Sequence, residues 1–243
     1  MDNYITIDNL TKKFGEKVAV NDLSFSIKKG EVFGLLGANG AGKTTSIECI
    51  LGIRKVDDGK IEILGMDPIR DRKKIFEQVG VQFQQTNYQE KITVKEACET
   101  FASLYRTPDN WEKLLERFEL ADKKKQLVNS LSGGERQRLS ILLALISKPK
   151  IVFLDELTTG LDSRARRNLW KYLNGLKKDG LTILLTSHYM DEVEALCDRI
   201  CIIRDGKKVV LDTVENIIKN SPYGTLEEAY LWYSGDDKEM EED

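Results

Sequence analysis

The sequence predicts an α/β protein with a mainly parallel sheet, an antiparallel β appendage and an inserted helical subdomain. Three observations carry this expectation. Short apolar, β-rich runs alternate with longer helical patterns along most of the chain, the signature of strand–helix–strand units. Three of the runs near the start are short and turn-flanked, which sets them apart as an antiparallel unit. From Thr93 to Ser130 the strand signals vanish and helical patterns follow one another.

Taken in order, the expected strands are Ile5–Ile7, Leu23–Ile27, Val32–Leu36, Lys60–Leu64, Val79–Phe83, Ile151–Leu154, Thr182–Thr186, Ile200–Ile203 and Lys208–Leu211. The first two and Lys60–Leu64 form the appendage. Trp111, Leu114, Leu115 and Phe118 recur at helical spacing, and Leu226, Ala229, Tyr230 and Tyr233 share one face of a helix near the end. Residues 1–234 therefore read as one ordered domain with the helical subdomain at approximately 86–148, and the acidic tail 235–243 as disordered.

At 243 residues and 41% hydrophobic content, the chain is long and apolar enough to bury a substantial core. Its 37 basic and 40 acidic residues give a net charge of −3, without the basic excess of a nucleic-acid binder, so no nucleic-acid partner is expected. The most apolar segment, Leu139 to Ser147, is far short of a membrane-spanning helix, and no basic start with an apolar run marks a secretory signal. Cys49, Cys98, Cys197 and Cys201 are scattered within elements and read as small buried hydrophobes.

The phosphate chemistry begins at Gly37, Ala38, Asn39, Gly40, Ala41, Gly42, Lys43, Thr44 and Thr45, which follow an apolar strand and open a helical pattern. This is the context of a P-loop: glycines let backbone N–H groups surround phosphate oxygens, Lys43 reaches the β- and γ-phosphates, and Thr44 ligates Mg²⁺. A P-loop alone leaves kinases, GTPases and motors open. Ile151 to Glu156 adds a buried strand ending in two carboxylates, which strand alternation points in different directions. Asp155 suits the Mg²⁺ shell, and Glu156 is then free to polarise an attacking water.

Leu131-Ser132-Gly133-Gly134-Glu135-Arg136-Gln137-Arg138 resembles the signature motif of ABC ATPases. The resemblance implies ATP and Mg²⁺ as ligands and a head-to-tail dimer, probed below, in which Ser132, Gly133 and Gly134 of one subunit close on the γ-phosphate held by the other. Gly80 to Gln84 is similar to the strand ending in the family's Q-loop, so Gln84 takes a place on the Mg²⁺ or water shell, with Gln82 and Gln85 as neighbouring choices. Thr159-Gly160-Leu161-Asp162 resembles the D-loop and puts Asp162 at the dimer seam. Thr186-Ser187-His188 resembles the switch loop, where His188, the chain's one histidine, holds the γ-phosphate and the attacking water. Phe14 stands at the A-loop position that stacks on adenine, where tyrosine is more usual. Glu135 and Leu157 also depart from the family pattern, which more often has glutamine and proline there.

The resemblance spans roughly Tyr4 to Ser234, and the stretches Ser187 to Arg199 and Thr225 to Leu231 look like ATP-binding subunits of drug, antibiotic or lipid exporters. It implies a second ATP-binding subunit, a separate transmembrane permease and a peripheral place on the cytoplasmic face of the membrane. The stretch Gln84 to Val94, centred on Gln85-Thr86-Asn87-Tyr88, is the expected contact with that permease. An importer subunit is the alternative, and a soluble ABC ATPase of DNA repair is another. The latter class inserts a long coiled coil between the motifs, and no sustained heptads occur between Lys43 and Ser132.

Overall fold

The computed structural model describes residues 2–83, 88–156, 158 and 160–235. Two sheets organise them. β1 (Asn3–Phe14), β2 (Lys17–Lys28) and β4 (Asp58–Ile63) form an antiparallel sheet in the order β2-β1-β4. A six-stranded sheet runs β5 (Val79–Gln82), β6 (Ile151–Asp155), β7 (Thr182–Thr186), β3 (Val32–Leu36), β8 (Arg199–Arg204) and β9 (Lys207–Thr213). Its pairings are parallel except the β8–β9 hairpin.

The α/β class and the separate antiparallel sheet are as expected, but the first two strands are not short: each has 12 residues. Their length was hidden because the ladder slips repeatedly between Ile7 and Lys13, and Asn9 and Asp22 take left-handed backbone with φ of 53° and 56°. Irregular pairing breaks the two-residue alternation by which a strand is read. Asn9 Nδ2 donates to Asp22 Oδ1 at 2.6 Å across this irregular stretch.

Between β5 and β6 the chain forms α3 (Val94–Ser103), α4 (Trp111–Arg117) and α5 (Gly133–Leu145). The other helices are α1 (Lys43–Ile50), α2 (Arg72–Phe76), α6 (Ser163–Lys178), α7 (Met190–Leu196), α8 (Val214–Lys219) and α9 (Leu226–Ser234). Thr93 begins α3 with a capping box to Glu96, a local signal strong enough to start a helix directly after a loop.

Strand alternation divides the core between the two faces of the large sheet. Ile151 and Phe153 of β6 join Phe33, Leu35, Ile47, Ile50 and the antiparallel sheet, whereas Val152 and Leu154 join Leu142 and Leu143 of α5 and Leu169 and Leu173 of α6. Phe25 stacks on Phe33 with ring centroids 5.0 Å apart, fastening the small sheet to the large one. Leu226, Ala229, Tyr230 and Tyr233 pack one face of α9 against Ile200 and Ile202 of β8, as their spacing predicts. The cysteines behave as core residues: burial pushes the thiols of Cys98 and Cys201 up to about 12. β6, β7 and β3 are adjacent in the sheet and parallel, so their carboxyl ends open on the same edge, where parallel α/β sheets hold ligands. Residues 236–243 of the acidic tail lie outside the described part of the chain.

Candidate active site

β3 ends at Leu36 and α1 begins at Lys43, so Gly37 to Gly42 must turn the chain within six residues. Gly42 does so at φ 106°, and a Cβ there would sit 2.4 Å from the Ala19 carbonyl oxygen; a Cβ on Gly37 would meet the Ile203 carbonyl oxygen at 2.4 Å. Only glycine fits where the loop is pressed this closely on β2 and β8. Gly42 provides no side-chain cap to α1, so the first N–H groups of the helix remain to be satisfied from outside. Lys43 is buried, and its Nζ donates to the carbonyls of Gly37 at 2.7 Å and Ala38 at 3.2 Å. Burial pulls its pKa below the usual lysine value, with Glu156 and Asp155 opposing.

A cavity of about 430 Å³ opens over this loop. Phe14 and Lys17 line it from the small sheet, Asn39 and Gly40 from the loop, Lys43, Thr44 and Thr45 from α1, and Glu156 from the large sheet. Phe14 is 43% exposed, with Lys12 Nζ 5.5 Å and the Arg54 guanidinium 5.3 Å from its ring centroid. Both cations lie over the ring, so a stacking ligand would have to displace at least one of them or use an edge they leave uncovered. Lys17 and Arg54 were not singled out in the sequence.

The two carboxylates do diverge, although not by strand alternation. β6 ends at Asp155, and Glu156 follows in left-handed backbone at φ 52°. Asp155 is 3% exposed; its Oδ1 accepts from Thr186 Oγ1 at 2.5 Å, and Thr44 Oγ1 lies 3.5 Å from Oδ2. Burial raises its pKa, and the Thr186 hydroxyl and Lys43 oppose the rise. Glu156 Oε1 instead meets His188 Nε2 at 2.9 Å. Thr186 joins the pair, because its hydroxyl also accepts the Glu156 backbone N–H at 3.0 Å. The sequence placed Thr186 in the switch-loop motif but gave it no role; its register opposite Asp155 on the neighbouring parallel strand appears only in the structure.

Ser132 is the N-cap of α5, with Oγ accepting from Glu135 N at 3.3 Å while Glu135 Oε2 accepts from Ser132 N at 2.8 Å. Those hydrogen bonds, the Ser132 N–H first, hold the Glu135 carboxyl below its ordinary range. The unusual glutamate thus completes a capping box, a position glutamine serves as well. Asp162 caps α6, accepting from Arg164 N at 2.8 Å and Ala165 N at 2.9 Å. Ser132, Gly133, Gly134, Asp162 and His188 are not among the residues lining the cavity of their own chain. Gln84, Gln85, Thr86, Asn87, Leu157 and Thr159 lie outside the described residues. Tyr88 is half-buried against the helical core, so its ring is a packing group as well as a neighbour of the expected docking loop.

The residues present fit a nucleotide with a hard divalent cation. The glycine loop leaves room that a Cβ would fill, and no cluster of three or more His, Cys, Asp or Glu occurs among the described residues. Thr44 and Asp155 offer one hydroxyl and one carboxylate, the sparse oxygen set that Mg²⁺ takes when phosphates and water complete its octahedron.

Residues 20–159 match the family described as ABC transporter. The chain belongs to the ABC transporter family. It is 42% identical over 211 residues to a Nod factor export ATP-binding protein I of Burkholderia orbicola, covering 84% of this chain and 69% of that protein. Over 221 residues it is 36% identical to the daunorubicin resistance ATP-binding protein DrrA3 of Streptomyces coeruleorubidus, covering 89% and 70%. Its fold matches a dimeric, post-hydrolysis ATP-binding cassette bound to ADP and phosphate, with a TM-score of 0.78, 27% identity and coverage of 86% and 98%. The chain is thus an ABC ATPase subunit.

Proposed function

We propose that this chain binds ATP with Mg²⁺ in the cavity over the P-loop, pairs head-to-tail with a second ATP-binding subunit, and powers export through a separate transmembrane permease. The observation that carries the site reading is the placement of Lys43, Thr44, Asp155, Glu156 and His188 at one sheet edge, with Thr186 bonded to both acids' residues. Mg²⁺, once bound, neutralises charge on the β- and γ-phosphates.

The protein's own groups divide the work. Gly37, Ala38, Asn39, Gly40, Ala41, Gly42 and Thr45 offer backbone N–H groups to the phosphates, and Lys43 exchanges the Gly37 and Ala38 carbonyls for phosphate oxygens. Thr44 and Asp155 hold the cation, joined by Gln84. Glu156 accepts the proton of the attacking water, and His188, 2.9 Å from that carboxylate, fixes its orientation and that of the γ-phosphate. Phe14 stacks on the adenine. Ser132, Gly133 and Gly134, which do not line their own chain's cavity, supply an α5 N-terminus to the partner's γ-phosphate, with Asp162 near the seam.

Export is favoured because the relatives named above are an export protein and a drug-resistance protein. Among the described residues no helix is long and apolar enough to cross a membrane, consistent with attachment through a permease at the cytoplasmic face. The loop from Gln84 to Val94 and the start of α3 are the proposed contact. Copurification from native membranes, followed by identification of the associated subunit and reconstitution with it in vesicles, tests the whole reading. ATP-dependent efflux from cells or inverted-vesicle uptake supports it. A chain that copurifies with no membrane protein, or only with importer components, refutes it.

A further inference from the structure

Behind the switch loop lies a charge that the mechanism above does not use. Glu192 on α7 has no exposed surface, and burial raises its pKa above that of an ordinary glutamate. An apolar residue would fill the same space without the desolvation cost of a carboxylate. This carboxylate instead joins two segments. Its Oε2 accepts from Ser187 Oγ at 2.5 Å, directly before His188. Its Oε1 accepts from Trp170 Nε1 of α6 at 3.2 Å.

The loop around His188 is further held by its own contacts. Ser187 Oγ, besides donating to Glu192, accepts from Tyr189 N at 3.0 Å. Arg166 of α6 lies 4.3 Å over the Tyr189 ring and reaches Asp191 Oδ2 at 3.4 Å.

We propose that Glu192 is a positioning residue for hydrolysis, holding the loop that carries His188 in register with α6. It rests on the reading of His188 given above. Through this carboxylate a displacement of α6, whose N-cap Asp162 stands at the proposed dimer seam, is passed to the imidazole that meets Glu156. Glu192 touches neither phosphate nor water, and its effect is felt only through His188.

The test uses the full chain, with steady-state ATPase, nucleotide affinity and thermal unfolding measured for Glu192→Gln, Ser187→Ala, His188→Ala and the Glu192→Gln/His188→Ala pair. Glu192→Gln keeps the shape but leaves one acceptor for two donors. The expected result is a kcat lower by about 10- to 100-fold, the scale of a small misplacement at a reacting centre. KM for ATP should stay within about twofold and the unfolding temperature should fall by no more than a few degrees, the cost of one unpaired buried donor, a split that loss of core packing would not give. Ser187→Ala, which cuts the same link from the other end, should follow it and carries the test if Glu192→Gln does not fold. In the His188→Ala background the second substitution should add nothing to the residual rate. Unchanged kcat in both Glu192→Gln and Ser187→Ala, with His188→Ala inactive, overturns the role of Glu192 and leaves the site reading standing. Multiplicative losses in the double variant, or kcat, KM and unfolding temperature falling together, also overturn it. Full activity in His188→Ala would instead sink the site reading, and this inference with it.

Discussion

Glu156→Gln separates nucleotide binding from hydrolysis at the one residue where the structure allows it cleanly. Glutamine is isosteric, keeps an oxygen or amide within reach of His188 Nε2, now 2.9 Å from Oε1, and leaves the Glu156 N–H bond to Thr186 untouched. What disappears is the proposed base and one negative charge facing the proposed phosphate site. Loss of a positioned general base costs on the order of 10²–10⁴ in rate, or roughly 3–5 kcal/mol of transition-state stabilisation. Removing the charge also lessens repulsion of the γ-phosphate, so ATP affinity should hold or rise. Hydrolysis is then the blocked exit from the ATP-bound pair, and a two-fold dimer should accumulate with ATP and Mg²⁺. Multi-angle light scattering reads the mass, and single-turnover hydrolysis reads the rate. A variant that keeps more than about a tenth of the wild-type rate refutes the base assignment; one that is inactive yet monomeric at high concentration with saturating ATP refutes the dimer.

Lys43→Ala should weaken ATP binding by the isolated chain at least tenfold, since a charged hydrogen-bond donor is lost, whereas Ser132→Ala should leave it within about twofold and lower turnover; equal loss of monomer affinity in both, by fluorescence titration, would contradict the head-to-tail arrangement. Thr186→Val removes the hydroxyl that donates to Asp155 and accepts from Glu156 N, and is expected to lower kcat at least tenfold and the unfolding temperature by several degrees through the buried groups left unpaired. Glu135→Gln keeps the capping-box shape and should leave ATPase activity within about twofold. Its pH dependence follows from the depressed glutamate: stability from the charged form is fully present above the unfolded value near 4.3 and is lost as pH falls through the lower folded value. The variant should therefore be less stable than wild type at pH 7 by no more than about 1 kcal/mol, and the gap should close under acid; a gap that widens below pH 4 would mean another group is responsible.

The P-loop, the acidic strand end and the signature could be read from the sequence because each depends on contiguous residues whose chemistry and local backbone are tied together. Gly42 is required by its neighbour Ala19 only in space, yet its place before Lys43 already announces the turn. Thr186 and Glu192 were not legible in the same way. Each is defined by a partner about 30 or 22 positions distant, Asp155 for one and Trp170 for the other, and neither contact leaves a periodic trace. The length of β1 and β2 was hidden for a local reason: left-handed residues at Asn9 and Asp22 and slips in the ladder turn an alternating pattern into what looks like a polar loop. The divergence of Glu156 from Asp155 was expected for the wrong reason, since a left-handed residue after the strand, and not the pleat, aims it away.

Under the proposed head-to-tail pairing, a single chain holds the parts of the site without completing it. Lys43 is partnered by two loop carbonyls and Glu156 by His188, so neither group stands without a hydrogen-bond partner. Phosphate must displace the first arrangement, and the N–H groups of α1 recompense the exchange. The N-terminus of α5 has the opposite problem. Ser132 and Glu135 satisfy each other, but Gly133 and Gly134 begin the helix with N–H groups that have no intrahelical acceptor. A helix end of this kind gains roughly 0.3–1 kcal/mol from one nearby anion at an exposed site, and more when the site is partly buried. That is too little to bind a free phosphate tightly and enough to bias an encounter between two chains that already carry ATP. Under this scheme affinity for nucleotide belongs to the P-loop, affinity between subunits belongs to the nucleotide, and loss of the γ-phosphate removes the anion that the α5 terminus was holding. The pair should then separate after hydrolysis without any further signal.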